Sequence, residues 1–320
     1  MTTTPPTSAS YSNYLVGVQS VVIDANNTLW ILDTGRAIDP GSKMLLPAVP
    51  GGPKLVAVDL ATNTITRTYT FPVTVAYQDS YLNDVRVDRT QTLSGLDSNG
   101  TQGVAYITDS STEGRNGLIV VDLTSGASWR HLDGDPRVRP LVEVVPYVWG
   151  QPLFYASSPG MPYSHVPFGS DGIALGADGK DLYFSSIAGR YLYSIPTANL
   201  RAHDQTSELL AQGEVRNRGE KGVTDGMETD SNGFIYAGNT EQEAVVMYFP
   251  NNGTQSTFVR DPRINWVDTM SVGWDGYLYF TVNQLHLSSS FLPGTDRRVH
   301  PYVLFKAKLP EGGRKAMVGS

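Results

Sequence analysis

Short apolar runs separated by turn residues recur along the whole chain. Each unit opens with a polar residue, runs through a short apolar stretch, turns at Gly, Asn or Asp, and continues into a second stretch rich in aromatic and β-branched residues. Paired runs of this kind are typical of β-hairpins. Five aligned units begin at Gln19, Asn83, Asp171, Asp225 and Asp268.

Most of these hairpins are followed by a second pair of apolar runs, such as residues 54–60 and 64–71. Four strands per repeat, spaced by roughly 40–60 residues, is the pattern of a β-propeller. The sequence therefore predicts an all-β protein with five readable blades in one domain at residues 18–309. An N-terminal arm at residues 1–17 and a C-terminal tail at 310–320 flank this domain.

Composition supports this fold and excludes some partners. The 320 residues include 32 Gly and 20 Pro, and 40% are hydrophobic, which suits many turns around one core. The net charge of −7 and the lack of a basic stripe argue against a nucleic-acid partner. No apolar stretch is long enough to span a membrane, and the first residues show no signal-peptide core. We therefore expect a soluble protein.

The compartment stays open on the sequence alone. The chain has no cysteine, which removes disulfides and thiolate chemistry. Three glycosylation sequons, at Asn26, Asn99 and Asn252, favour secretion only weakly because such triplets are common by chance.

The five polar residues that open the repeats are the first candidate site. The first strand of a propeller blade lines the central channel, so equivalent strand starts lie at the same mouth. We expect Gln19, Asn83, Asp171 and Asp268 to bind a substrate there, and Asp225 to take part in catalysis. The alternative is that these side chains only satisfy backbone groups at the strand ends.

Three long loops, at residues 35–53, 154–168 and 283–301, are expected to reach the same mouth. Long loops in compact domains are usually functional, and aromatic side chains over a few polar groups are typical of a small-molecule pocket. Packing of the loops against each other is the alternative. Two histidines on these loops, His165 and His286, are candidates for proton transfer. The expected aromatic wall comprises Tyr155, Tyr163, Phe168, Trp266 and Tyr302.

Several segments resemble the major royal jelly/yellow protein family, particularly its microbial members. They include Leu29-Trp-Ile-Leu-Asp33, Tyr106-Ile-Thr-Asp109, Asp225-Gly-Met227, Trp266-Val-Asp268 and Asn283-Gln-Leu285. The resemblance runs from about residue 18 to 309 and implies a six-bladed propeller. The sixth blade would come from residues 141–145 and 153–155 or from the termini, or it would be absent.

The chain is also distantly similar to the gluconolactonase and senescence marker protein propellers. In those proteins a Glu, two Asn and an Asp hold a divalent cation, and the matching positions here are Gln19, Asn83, Asp171 and Asp225. Gln19 in place of Glu removes one negative charge, and Asp171 in place of Asn restores it. These positions therefore still carry enough anionic oxygen for a hard cation. The royal jelly resemblance does not imply this metal site, and we expect neither metal nor cofactor.

Three functions are compatible with these features. The first is a metal-independent isomerase, tautomerase or pericyclase-like cyclase of secondary metabolism, which acts on a small apolar metabolite by positioning and hydrogen bonding. Yellow relatives, linked to pigment tautomerisation, imply such chemistry. The second is a metal-dependent lactonase-type hydrolase, and the third is a small-ligand-binding protein without turnover. The aromatic loops and Gln19 favour the first, although fold alone does not decide function.

Overall fold

The computed structural model describes residues 11–42, 44–91, 93, 102–157, 160–291, 295–316 and 318. These residues form five antiparallel sheets, arranged as the blades of a propeller around a central channel. Each sheet runs from its first strand, at the channel, outward in chain order. The all-β propeller predicted from the repeats is confirmed.

The blades follow the sequence repeats one by one. Blade 1 contains β1 (Val18–Ile23), β2 (Thr28–Asp33), β3 (Lys54–Asp59) and β4 (Thr64–Thr70). Blade 2 contains β5 (Leu82–Asp88), β6 (Val104–Asp109), β7 (Gly117–Asp122) and β8 (Ser128–His131). A separate hairpin of β9 (Tyr147–Val148) and β10 (Gln151–Pro152) precedes blade 3.

Blade 3 contains β11 (Ser170–Leu175), β12 (Asp181–Ser186), β13 (Tyr191–Pro196) and β14 (Arg216–Glu220), with α1 (Thr197–Arg201) and α2 (Ser207–Glu214) before β14. Blade 4 contains β15 (Met227–Thr229), β16 (Ile235–Asn239), β17 (Ala244–Phe249) and β18 (Thr254–Arg260). Blade 5 has three strands, β19 (Val267–Val272), β20 (Tyr277–Val282) and β21 (Val303–Lys308). Single-turn 3₁₀ helices lie at Tyr11–Asn13, Leu285–Leu287 and Pro310–Gly312.

The residues suggested for a sixth blade do not form one. Residues 141–145 and 153–155 form no strand, apart from an isolated bridge of Tyr155 with Ser164. The hairpin at 147–152 has only two short strands outside the five blades. Within the described ranges the propeller therefore has the five blades that are readable in the sequence. No helix in these ranges is both long and apolar enough to cross a membrane.

Neighbouring blades pack face to face through aliphatic and aromatic side chains. Strand residues alternate between the two faces of a sheet, so each blade offers one apolar face to the blade before it and one to the blade after it. Between blades 1 and 2, for example, Trp30, Leu32 and Leu55 meet Val85 and Ile107. This packing holds the inner strands in register around the channel.

In the described structure the circle of blades is not closed between blade 5 and blade 1. Inner strands of consecutive blades lie side by side from β1 to β19, whereas cavities separate β19 from β1. Val21 on β1 is 54% exposed, while Val85 at the equivalent position of β5 is fully buried. The face of blade 1 that would contact a preceding blade is therefore uncovered in the described structure.

The described parts of the arm and of the tail pack on the blades. In the arm, the backbone N–H groups of Val16 and Gly17 donate to the Asp33 carboxylate at 2.7 and 2.8 Å. In the tail, Lys315 Nζ donates to the Ile23 carbonyl at 2.8 Å. The sequons at Asn26 and Asn252 lie in exposed turns, and the one at Asn99 lies outside the described residues.

Candidate functional site

Five polar side chains meet at one mouth of the channel, and we call them the ring: Gln19, Asn83, Asp171, Asp225 and Asp268. Hydrogen bonds link the first three. Gln19 Nε2 donates to Asn83 Oδ1 at 3.2 Å, and Asn83 Nδ2 donates to Asp171 Oδ2. Tyr81 closes this chain because its hydroxyl donates to Gln19 Oε1 at 2.7 Å. The strand starts that the sequence aligns are thus neighbours in space.

Irregular strand pairing aims these side chains into the channel. The register of β1, β5, β11 and β19 with the next strand shifts at the ring position of each strand. A β-bulge bends the strand locally and redirects a side chain, which is why bulges are common beside binding sites. The same distortion at four equivalent positions turns the ring side chains towards one another.

Two glycines allow the ring aspartates to approach one another. A Cβ atom at Gly172 would lie 2.1 Å from the Asp225 carbonyl oxygen, and one at Gly226 would lie 1.4 Å from that of Asp268. No other residue type fits such close backbone contacts. The Asp-Gly pairs of the sequence are therefore needed to bring blades 3, 4 and 5 together at the ring.

Asp171 and Asp225 form a pair of buried carboxyl groups. A hydrogen bond between the two carboxyl groups requires that one of them carry a proton, and this bond raises the pKa of Asp171 and lowers that of Asp225. Asp225 Oδ2 also accepts a hydrogen bond from Trp266 Nε1 at 2.6 Å. On the other side, Asp268 Oδ2 accepts one from Asn283 Nδ2 at 2.8 Å.

Burial raises the pKa of all three aspartates above the ordinary value, and by a large margin for Asp171 and Asp225. Repulsion adds to this effect, since Asp225 and Asp268 both raise the pKa of Asp171. The hydrogen bonds from Trp266 and Asp171 act in the opposite direction on Asp225 and favour its ionised form. Both carboxyl groups therefore favour the protonated form at pH values where aspartates are ordinarily ionised, and the hydrogen bond between them favours the proton on Asp171.

The ring forms the floor of a cavity of about 390 Å³, which we call the upper cavity. All three long loops contribute to it, through Met44 and Leu45, Tyr155 and Phe168, and Leu285 and Ser290. Phe168 packs edge-on against Tyr155 with ring centroids 5.2 Å apart. The upper cavity therefore combines an apolar wall with a floor of carboxyl and amide groups.

Other residues proposed from the sequence lie away from this cavity. Trp266 is fully buried behind Asp225, and its indole stacks on His286 with centroids 6.3 Å apart. His286 is buried too, and burial lowers its pKa to about 4. Tyr163 and His165 are exposed and line no part of the upper cavity.

Tyr302 is also outside the upper cavity. It is 42% exposed and packs against His300 with ring centroids 4.7 Å apart. The direction of these loop side chains follows from how each loop packs, which strand periodicity does not specify.

Residues at the ends of the second strands, Asp33, Asp109 and Asn239, satisfy backbone groups of the incoming loops. Asp109, for example, accepts hydrogen bonds from Ser80 Oγ and from Tyr81 N at 2.5 and 2.9 Å. These three side chains therefore stabilise the loops by hydrogen bonds to the backbone.

Sequence reasoning missed several lining residues. Asn283 lies directly after β20, and Tyr81 lies two positions before the ring residue Asn83. Their places in the repeat, where the chain enters or leaves the channel mouth, are the signal that could have found them. Others lie on the loop between β6 and β7: Ser110, Thr112 and Glu113.

Below the ring the channel is crossed by an ion pair. Arg86 Nη1 donates to Asp84 Oδ1 at 2.6 Å, and Nη2 donates to the Met227 carbonyl at 2.6 Å. Glu228 Oε1 lies 4.0 Å from Arg86 Nε. Arg86 therefore bridges from blade 2 to blade 4 across the channel.

The ring as arranged does not fit a divalent cation. N–H donors from Asn83, Trp266 and Asn283 already occupy carboxylate oxygens of the three aspartates. A hard cation requires several oxygen ligands that face one point. Within the described parts of the chain, no three acidic or histidine side chains are placed to hold a metal ion together.

Several solved structures are similar to this chain at low sequence identity. A calcium-binding regucalcin from Agrobacterium tumefaciens has 13% identity and a TM-score of 0.50, covering 97% of this chain and 95% of that one. A luciferin-regenerating enzyme has 14% identity and a TM-score of 0.49, covering 94% of each chain. Virginiamycin B lyase from Staphylococcus aureus has 13% identity and a TM-score of 0.46, covering 93% and 72%.

Of these three structures, the regucalcin supports the fold, and its 13% identity supports nothing more. A comparison with curated protein sequences finds no match. A family model gives a more specific result, because the model described as major royal jelly protein matches residues 16–300. The match covers blades 1 to 4, the first two strands of blade 5 and every ring residue. The chain belongs to the major royal jelly protein family.

Proposed function

We propose that the protein is an enzyme that moves a proton on a small, largely apolar metabolite bound in the upper cavity. The reaction class is isomerisation, tautomerisation or cyclisation without a metal ion. The observation that carries this proposal is the Asp171–Asp225 pair, two buried carboxyl groups joined by a hydrogen bond that raises the pKa of Asp171 and lowers that of Asp225. A neighbouring acid and base with separated pKa values are the groups that such chemistry needs.

Each ring residue has a role in this proposal. On a substrate with an enolisable carbonyl group, the Asp225 carboxylate accepts the proton from the carbon beside the carbonyl. Asp171 donates a hydrogen bond to the carbonyl oxygen and stabilises the enolate. Return of the proton to another carbon shifts the double bond with no net gain or loss of atoms. Gln19, Asn83 and Asp268 bind the polar part of the substrate.

The apolar wall supplies the positioning. Tyr155 and Phe168 face the ring across the upper cavity, and burial of substrate against them excludes water from the carboxyl groups. We leave His165 and His286 out of the mechanism, since neither lines this cavity.

Hydrogen–deuterium exchange tests the proposal without knowledge of the product. A panel of apolar ketones with acidic C–H bonds is incubated with the protein in D₂O, and loss of the C–H signal is followed by ¹H NMR. We expect exchange of at least one ketone to fall about 10²-fold or more in Asp225→Asn. Asp275→Asn, which changes an exposed carboxylate in a turn of blade 5, is the matched control and should exchange normally.

The two other functions are outcomes of the same experiment. Ligands that bind the upper cavity without any exchange indicate a binding protein. Activity on lactones that EDTA removes and calcium or zinc restores indicates a metal-dependent hydrolase. Equal exchange in Asp225→Asn and the parent protein would remove Asp225 from the mechanism.

A further inference from the structure

A second cavity of about 360 Å³ lies at the opposite end of the channel, and we call it the lower cavity. Arg86 separates it from the ring, because its side chain reaches across the channel to the Met227 carbonyl. No ring residue lines the lower cavity. Its chemistry is therefore independent of the proposed proton transfer.

Most of the wall of the lower cavity is apolar. Its apolar side chains come from blades 1, 2, 3 and 5 and from the tail: Val22, Leu29, Val87, Leu175, Met270 and Val318. A cavity of this volume with an apolar wall is in the range of small-molecule sites. Such a wall favours a ligand with an apolar body, since the apolar surfaces of both leave water on binding.

One side of the lower cavity carries the ammonium group of Lys315, in the tail. Lys315 is only partly buried, and its Nζ donates to the Ile23 carbonyl at 2.8 Å. An ammonium has three N–H donors, so two remain for a ligand. No carboxylate of the described residues lies within 4.0 Å of this nitrogen. Lys315 therefore offers a positive charge that no ion pair balances.

The two carboxyl groups that line the lower cavity already have other partners. Asp24 Oδ2 lies 3.7 Å from Arg89 Nε, and the Asp24 side chain is only 2% exposed. Glu228 Oε1 lies 4.0 Å from Arg86 Nε. Burial raises the pKa of Glu228, which favours its neutral form and weakens its repulsion of an anion. An anionic group beside Lys315 therefore meets a net attraction.

Charge and apolar wall together define the class of ligand. A wholly apolar molecule would leave the ammonium of Lys315 unpaired, and a small inorganic anion would leave the apolar wall in water. A carboxylate at the partly exposed Lys315 keeps part of its hydration, so its desolvation cost stays small. A molecule with an anionic head and an apolar body suits both parts of the cavity.

We propose that the lower cavity binds a small amphipathic carboxylate, whose head pairs with Lys315 and whose apolar body packs against the wall. This site is separate from the proposed active site and does not depend on its function.

Two probes of equal shape test the proposal. 4-Benzoylbenzoate has an anionic head, and 4-benzoylbenzamide replaces that head by a neutral amide. Calorimetry measures both affinities, and irradiation attaches each probe to nearby C–H groups, so that mass spectrometry locates the site. We expect the benzoate to bind about 10-fold more tightly than the amide, as a charge-assisted hydrogen bond at a partly exposed site predicts.

Attachment is expected in peptides that contain Val22, Leu175 or Met270, which line the lower cavity. Equal affinity for the two probes, attachment confined to peptides of Tyr155 and Phe168, or the absence of binding at millimolar benzoate would overturn the proposal.

The head contact is tested by Lys315→Gln, which removes the charge but keeps an N–H donor for the Ile23 carbonyl. Its affinity for the benzoate should fall about 10-fold, to that of the amide, while its affinity for the amide stays unchanged. Lys308→Gln is the matched control, because Lys308 is an exposed lysine of β21 that does not line the cavity. Parent-like affinity of Lys315→Gln for the benzoate would contradict the assignment.

The contact with the wall is tested by Ile23→Trp, at a lining residue that is 44% exposed. The indole fills the cavity and should abolish binding of both probes, while thermal unfolding verifies that the variant is folded. Phe168→Ala, in the upper cavity, should bind both probes as the parent does. A folded Ile23→Trp variant with parent-like affinity would place the ligand outside the lower cavity and overturn the proposal.

Discussion

The two ends of the channel are built from the same five strands but differ in how their charge is balanced. At the upper end three aspartates converge, and among the described residues none of them forms an ion pair with an arginine or lysine. At the lower end the Asp84 carboxylate is paired with Arg86 at 2.6 Å. At the ring, bound protons rather than a positively charged side chain therefore reduce the negative charge of the aspartates. The two ends therefore differ in what lies beside the carboxyl groups, an arginine at the lower end and a second aspartate at the upper end.

The largest expected effect comes from breaking the ion pair of the lower end. Arg86→Met leaves the Asp84 carboxylate without its partner, and loss of one partner of a buried pair costs about 3–5 kcal/mol of unfolding free energy. Urea denaturation measures this loss.

The double variant Arg86→Met/Asp84→Asn is the control. It should recover a large part of the stability, because the unpaired charge is removed as well. If the single variant unfolds at the parent urea concentration, Arg86 does not balance the lower end.

The next effect concerns the wall of the upper cavity. Phe168 packs against Tyr155 and Phe291, so Phe168→Ala should lower the free energy of unfolding by about 1–3 kcal/mol and weaken ligand binding about tenfold. Tyr163→Ala is the matched control, since Tyr163 is exposed and should change both quantities little. Calorimetry and thermal unfolding test the pair, and equal effects of the two changes would contradict the placement of the wall.

The ring aspartates should also make the free energy of unfolding depend on pH, so that stability falls as pH rises. The pKa of Asp171 and of Asp225 is raised in the folded state, so the folded protein holds protons that the unfolded chain has released. This contribution is complete below the ordinary aspartate pKa of 3.8 and is lost as pH rises through the raised values.

Urea titrations at successive pH values measure this slope. The loss of stability with rising pH should be smaller in Asp171→Asn, in which the shared proton site is replaced by a neutral amide. An unchanged slope would assign the pH dependence to groups outside the ring.

The smallest effect is expected at His286, which lies behind the ring. Its pKa is lowered to about 4 by burial, so its contribution to stability is present above pH 6.5 and is lost as pH falls towards 4. His286→Phe should leave stability near pH 7 within about 1 kcal/mol and remove this acid-side loss. A large loss at pH 7 would show that the imidazole has a structural role, although neither of its nitrogens has a hydrogen-bond partner among the described residues.

Much of the fold follows from periodicity in the sequence. The polar residue before each apolar run fixes where every inner strand begins, and the structure gathers all five of these residues at one mouth. The three long loops likewise reach the cavity as expected. Which loop side chains face it was not predictable, because Tyr163 and His165 point away for reasons of loop packing.

The chemistry of the site depends on contacts that no single segment encodes. The β-bulges and the close approach at Gly172 and Gly226 arise between blades, and the proton shared by Asp171 and Asp225 follows from them. Arg86 and Glu228 were missed, although they occupy the same position in two repeats, three residues after a ring residue. Opposite charges at one repeat position are a usable sign of a pair across a channel.

The central claim is that the ring stores a proton at pH values where aspartates are normally ionised. NMR titration of protein labelled with ¹³C at the aspartate carboxyl carbon measures this directly, and Asp171→Asn, Asp225→Asn and Asp268→Asn assign the signals. The account predicts that a ring carboxyl remains protonated well above pH 3.8 and that its titration is coupled to that of its neighbour. Titration of all three ring carboxyl groups independently near pH 3.8 would contradict it.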